Sequence, residues 1–105
     1  MAQEKNGRII IHVDRELKEL VPGFLEHRRQ DIPVLQSALA GGDFATIQRL
    51  AHVMKGSGGG YGFDLISEIG ASMEQAAIHK DGETLRENLM DIIDYLERVE
   101  VIYGS

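Results

Sequence analysis

One histidine in this chain stands where its chemistry could be used. His52 lies in the run Ala51-His52-Val53-Met54-Lys55-Gly56-Ser57. On a helical wheel of about 100° per residue, Phe44, Ile47, Leu50, Ala51 and Met54 share one side and form a core face. His52 falls on the other side, near Ala45, Gln48, Arg49, Lys55 and Gly56. Lys55 and Gly56 follow the histidine by three and four residues, the spacings at which helical side chains meet. A neutral imidazole is a nucleophile, and its ordinary pKa near 6.5 leaves it mostly neutral near pH 7. Such a ring can attack an activated phosphoryl group. The Lys55 ammonium would offset charge on the phosphoryl oxygens, and Gly56 would leave room beside the ring. A glycine inside a helix costs about 1 kcal/mol against alanine. Access to His52 would explain that cost, and so would an approaching helix end; the spacing leaves both open.

The other candidates are weaker. His12, His27 and His79 read as surface residues, and no His or Asp/Glu pair forms a recognised metal-ligand motif. His27-Arg28-Arg29 reads as a solvated face, with docking of an acidic partner as its alternative. Gly56-x-Gly58-Gly59-Gly60-x-Gly62 is no P-loop, because no Gly-Lys-Ser/Thr follows, and no dinucleotide fingerprint, because a helix precedes it. Met54 and Met73 read as core, and Tyr61 and Phe63 as anchors over the end of a bundle.

The elements that must position His52 follow from the apolar spacing. Leu17, Leu20, Val21, Phe24, Leu25, Ile32, Leu35 and Leu39 recur at threes and fours, with the stem of Arg28 filling one gap. Pro22 suits the first turn of a helix, so a short helix from Asp14 ends near Val21 and a longer one begins there. Pro33 kinks that helix without ending it, and Gly41-Gly42 stops it. Asp43 caps a helix from Phe44 to Ser57. Asp64 caps the next, with Leu65, Ile69, Met73, Ala76 and Ala77 on one face. After Asp81-Gly82, the residues Leu85, Leu89, Ile92, Ile93, Leu96, Val99 and Ile102 or Tyr103 mark a last helix. Residues 1–7 are expected to fray. Arg8 to Val13 is a β-branched run with no evident strand partner and reads as an extended lead-in. The sum is an all-α fold: an antiparallel four-helix bundle over residues 14–103 with an additional short N-terminal helix, preceded by a lead-in over 1–13.

Bulk properties bound the function. The chain has 105 residues, 43% hydrophobic and 27% charged, enough for one domain with one core. Its net charge of −6, the absence of Trp, and only three Tyr and three Phe argue against nucleic-acid binding. No apolar run approaches the roughly 20 residues of a membrane span, and the start lacks a signal-peptide core. With no cysteine, neither disulfides nor thiolate metal sites arise, in keeping with a reducing, cytoplasmic setting.

His52-x-x-Lys55-Gly56-Ser57, with Gly62 ten residues after the histidine, resembles the signature of histidine-containing phosphotransfer (HPt) domains. The likeness extends to the length, the helix order, the turn Ala40-Gly41-Gly42-Asp43 and the pair Met73-Glu74. Gly58-Gly59 departs from the family pattern, which often has Ser or Ala and another small residue there. The resemblance implies a four-helix bundle that takes a phosphoryl group from the aspartate of a receiver domain and passes it to another receiver. His52 would be the phosphorylated residue, assisted by Lys55 and Gly56. Glu74, or Gln75 in a shifted register, would bond one ring nitrogen and leave the other free. Gln48, Arg49, Ser57 and Gly59 would face the partner. The implied partners are response-regulator receiver domains and a hybrid sensor histidine kinase. The catalytic Mg²⁺ would belong to the receiver, so no cofactor is expected in this chain. A monomeric phosphocarrier without kinase activity is the expectation; a non-phosphorylated adaptor and a fragment of a larger kinase are its alternatives.

Overall fold

The computed structural model describes residues 7–104 and the backbone of residues 4 and 5. Four helices dominate: α1 (Val21–Gly41), α2 (Phe44–Gly58), α3 (Asp64–Ile78) and α4 (Gly82–Arg98). Each packs on its neighbours in sequence, and α1 also meets α4, which closes a four-helix bundle. Their boundaries follow local chemistry. Pro22 lies in the first turn of α1, Pro33 sits within that helix without ending it, and Gly42 at φ 72° terminates it. Asp43 caps α2 by accepting from the Thr46 backbone N–H at 3.2 Å, and Asp81 caps α4 through Thr84 at 3.1 Å. Asp64 differs from its expected role. It is the first helical residue of α3, and Phe63 occupies the cap position.

The core is one cluster drawn from all four helices, with Met54, Met73, Ile66 and Ile92 among its sealed members. On α3 the buried stripe is Ile66, Ile69, Gly70, Met73, Ala76 and Ala77. The expected Leu65 is 43% exposed, because Ile66 continues the three-and-four spacing and Leu65 falls beside it. Asn88 and Tyr95 join the buried stripe of α4. Tyr61 and Phe63 anchor the bundle end as expected. Both rings stack on Phe24, at 4.6 and 5.5 Å between centroids.

Three features correct the all-helical expectation. Val99–Gly104 is a strand, β3, and not the last turns of α4. Arg8–Asp14 is also a strand, β2, and β3 is its partner: the two pair in parallel from Ile9↔Val99 to Asp14↔Gly104. The apolar residues of β3 alternate, and Val99, Val101 and Tyr103 pack on the core alongside Ile9, Ile11 and Val13. This period of two satisfies the buried face better than a further helical turn. In place of a short N-terminal helix, Arg15–Leu17 forms a single 3-10 turn capped by Asp14, whose carboxylate accepts from the Glu16 N–H at 2.8 Å. Of the segment expected to fray, Glu4–Lys5 forms a two-residue strand, β1, antiparallel to β2; residues 1–3 and 6 lie outside the described residues.

The tightest helix contact positions the site. At Gly70 of α3, an added Cβ would lie 2.6 Å from the backbone N of Lys55 and 2.8 Å from the Met54 Cβ. Only a glycine lets α3 approach α2 this closely. Gly70→Ala is therefore expected to destabilise the protein by about 1–3 kcal/mol through overpacking. A urea midpoint equal to that of the unaltered chain would show that the two helices do not need this contact.

Candidate functional site

His52 is carried on the solvent face of α2, with 69% of its side chain exposed. It lies where the helical wheel places it, opposite Ile47, Ala51 and Met54. One turn past Gly70, α3 presents Glu74, whose side chain is only 12% exposed. Its two carboxylate oxygens have different partners. Oε2 lies 2.9 Å from His52 Nδ1, and Oε1 lies 2.9 Å from the Lys55 Nζ. The structure thus brings together His52, Lys55 and Glu74. Gln75, the alternative to Glu74, is exposed and touches the loop side through its carbonyl, which His79 Nδ1 meets at 2.8 Å.

The electrostatics fix the proton. Hydrogen bonds from Lys55 and then His52 hold the Glu74 carboxyl below the ordinary glutamate value, against the opposing effect of desolvation. The carboxylate is therefore ionised near neutrality and only accepts hydrogen bonds. In the neutral ring, His52 Nδ1 then carries the hydrogen of the pair, which leaves the lone pair on Nε2, on the side of the ring away from Glu74.

Gly56 is exposed, and an added Cβ would meet no atom within 4 Å. No packing among the described residues requires glycine there, which favours access over a structural need. Gly58 is the opposite case: a Cβ would lie 2.7 Å from the Ser67 N and 2.9 Å from the Phe63 carbonyl oxygen. The departure from the family pattern, expected to loosen the end of α2, instead permits a tight α2–α3 junction at Gly58. Ser67 secures it further, accepting from the Gly59 N–H at 2.7 Å and donating to the Lys55 carbonyl at 2.9 Å. Ser67 and Gly70 escaped the sequence reading, although two small residues three apart on α3 are a signal of close helix approach.

The four residues expected to face a partner divide. Gln48 and Arg49 are exposed and line an open groove of about 440 Å³ with Ala45, His52, Val53 and Glu74. Gly59 is exposed at the end of α2. Ser57 turns inward: its Oγ donates to the Val53 carbonyl at 2.7 Å and accepts from Arg28 Nη1 at 3.2 Å. Arg28 also pairs with Asp31 at 3.0 Å and lies over the Phe24 ring, so only His27 and Arg29 of that basic run are exposed. Among the described residues, no group of three or more His, Cys, Asp or Glu is placed to hold a metal ion. No described helix is long and apolar enough to cross a membrane.

Glu74 titration tests the bridge. Because its carboxyl is held low, the contact with His52 persists below the ordinary glutamate range and is lost only as the pH falls through the lowered value. Carbon-detected NMR of the Glu74 carboxyl should show a lowered midpoint that rises in Lys55→Gln. A midpoint unmoved by that substitution would break the link between lysine and carboxylate.

The model of one protein family, described as the Hpt domain, matches residues 19–101. Comparison with curated proteins and with solved structures gives no match.

Proposed function

The chain belongs to the Hpt domain family, and from that premise we propose that His52 accepts a phosphoryl group from the aspartyl phosphate of a receiver domain and passes it to the aspartate of another. Hpt domains are phosphotransfer modules of two-component systems; they carry phosphoryl groups and have no kinase activity. The observation that supports His52 as the carrier is its largely exposed ring, with Nδ1 bound to Glu74 and Nε2 on the far side of the ring.

In this reading, the Nε2 lone pair attacks phosphorus, the N–P bond forms, and the P–O bond to the aspartyl carboxylate breaks. The proton stays on Nδ1, so the phosphorylated ring is a cation, and the Glu74 carboxylate at 2.9 Å is its counter-ion. Lys55 holds the other oxygen of that carboxylate and keeps it ionised. Gly56 leaves clearance for the incoming receiver, and Gln48, Arg49 and Gly59 lie on the surface it would meet. The receiver brings the Mg²⁺. The upstream donor is a hybrid sensor kinase, and the module works as a monomer in the cytoplasm.

The test is incubation with a phosphorylated receiver domain and Mg²⁺. An acid-labile, base-stable label should appear and be lost in His52→Gln. Gly56→Ala should keep or raise stability, by up to about 1 kcal/mol, while slowing transfer about tenfold or more through misplacement of the partner. Label retained in His52→Gln would exclude this histidine. Receiver binding with no label at all would make the bundle an adaptor.

A further inference from the structure

The geometry points to Arg49, with Gln48 beside it, as the group that holds the phosphoryl oxygens on His52, leaving Lys55 to act through Glu74. This inference rests on His52 being the phosphorylated residue. It differs from the first expectation, in which Lys55 offsets the phosphoryl charge directly.

Helix geometry gives the first reason. Side chains on an α-helix lean toward its N-terminus and cover the preceding turn. That lean carries the His52 ring over the turn that holds Gln48 and Arg49, four and three residues before it, and carries the Lys55 stem toward His52 in turn. The lining of the groove beside the ring separates the two cations. The groove is lined by Ala45, Gln48, Arg49, His52, Val53 and Glu74, and Lys55 is not among its walls.

Bond directions give the second reason. Nδ1 is bound to Glu74, and the ring places Nε2 on its far side. A phosphoryl group on Nε2 therefore projects away from the Glu74–Lys55 pair. The third reason is the charge each cation has to offer. Among the described residues, Glu74 from α3 and Lys55 and Arg49 from α2 are charged groups placed beside the ring. The Lys55 ammonium is already matched by the Glu74 carboxylate at 2.9 Å. Arg49 is exposed and makes no hydrogen bond or salt bridge among the described residues; its charge is felt weakly by Asp43. A guanidinium presents a planar fork of donors that fits two phosphoryl oxygens at once, and the Gln48 amide can donate to a third.

The test needs no protein partner. Phosphoramidate transfers its phosphoryl group to an imidazole nitrogen as ammonia leaves. The full chain, labelled in this way, is followed by ³¹P NMR against pH to find where the phosphoryl group loses its last proton. Arg49→Gln should raise that midpoint by roughly 0.2–0.7 pH units, the size of an exposed ion pair. Arg49→Lys should recover part of the shift. Arg86→Gln, the same charge change on α4, should leave the midpoint in place, and Lys55→Gln should move it less than Arg49→Gln does. A midpoint unmoved by Arg49→Gln, or moved as far by Lys55→Gln, overturns the assignment. Failure of phosphoramidate to label His52 is a separate outcome: it removes the phosphoacceptor itself, and the role of Arg49 falls with it.

Discussion

A single carboxylate connects the parts of this molecule that matter for phosphotransfer. Glu74 gives one oxygen to the imidazole of His52 and the other to the ammonium of Lys55. The residue reaches both because α3 lies unusually close to α2, and that closeness depends on the missing side chain at Gly70. Ser67, one turn earlier, stitches the end of α2 to the start of α3 through the Lys55 carbonyl and the Gly59 N–H. Helix packing thus sets a hydrogen bond, the hydrogen bond favours one tautomer, and in the proposed transfer that tautomer decides which nitrogen attacks. A carboxylate suits this position better than an amide in one respect: it can balance the positive charge that the ring acquires with a phosphoryl group attached.

The two cations near His52 are then not duplicates. Lys55 is paired with a partly buried acid and helps keep that acid ionised. Arg49 lines the open groove beside the ring and has no hydrogen bond or salt bridge among the described residues. They differ in surroundings although both share the face of the histidine: Lys55 meets the carboxylate from α3, and Arg49 lines the groove beside the ring.

Much of this was legible in the sequence. The split between Ile47, Ala51, Met54 and His52 on the wheel gave both the buried and the exposed faces of α2, and Asp43, Asp81 and Gly42 marked helix ends through local capping chemistry. The Val99–Gly104 strand was not legible as such. Leu96, Val99 and Ile102 fit a helical period, and the strand's partner, β2, lies about ninety residues away, so its pairing is a tertiary effect that local periodicity does not record. In the site, His52, Lys55 and Gly56 form a local motif, whereas the bond to Glu74 depends on how two helices meet and was expected from the family resemblance alone. The sheet also has a place in this arrangement. A Cβ on Gly62 would come within 3.7 Å of Val13 Cγ2, so β2 packs against the glycine loop that follows α2 and closes that end of the bundle, although β2 lies outside the segment matched by the family model.

The claim that Glu74 sets the nucleophile is open to direct measurement by ¹⁵N NMR of the His52 ring. In the free protein above the imidazole transition, Nδ1 should resonate as a protonated nitrogen and Nε2 as one with a free lone pair. After labelling, the one-bond ³¹P–¹⁵N coupling should appear at Nε2. A coupling at Nδ1, or a free ring whose hydrogen resides on Nε2, would contradict the role assigned to Glu74.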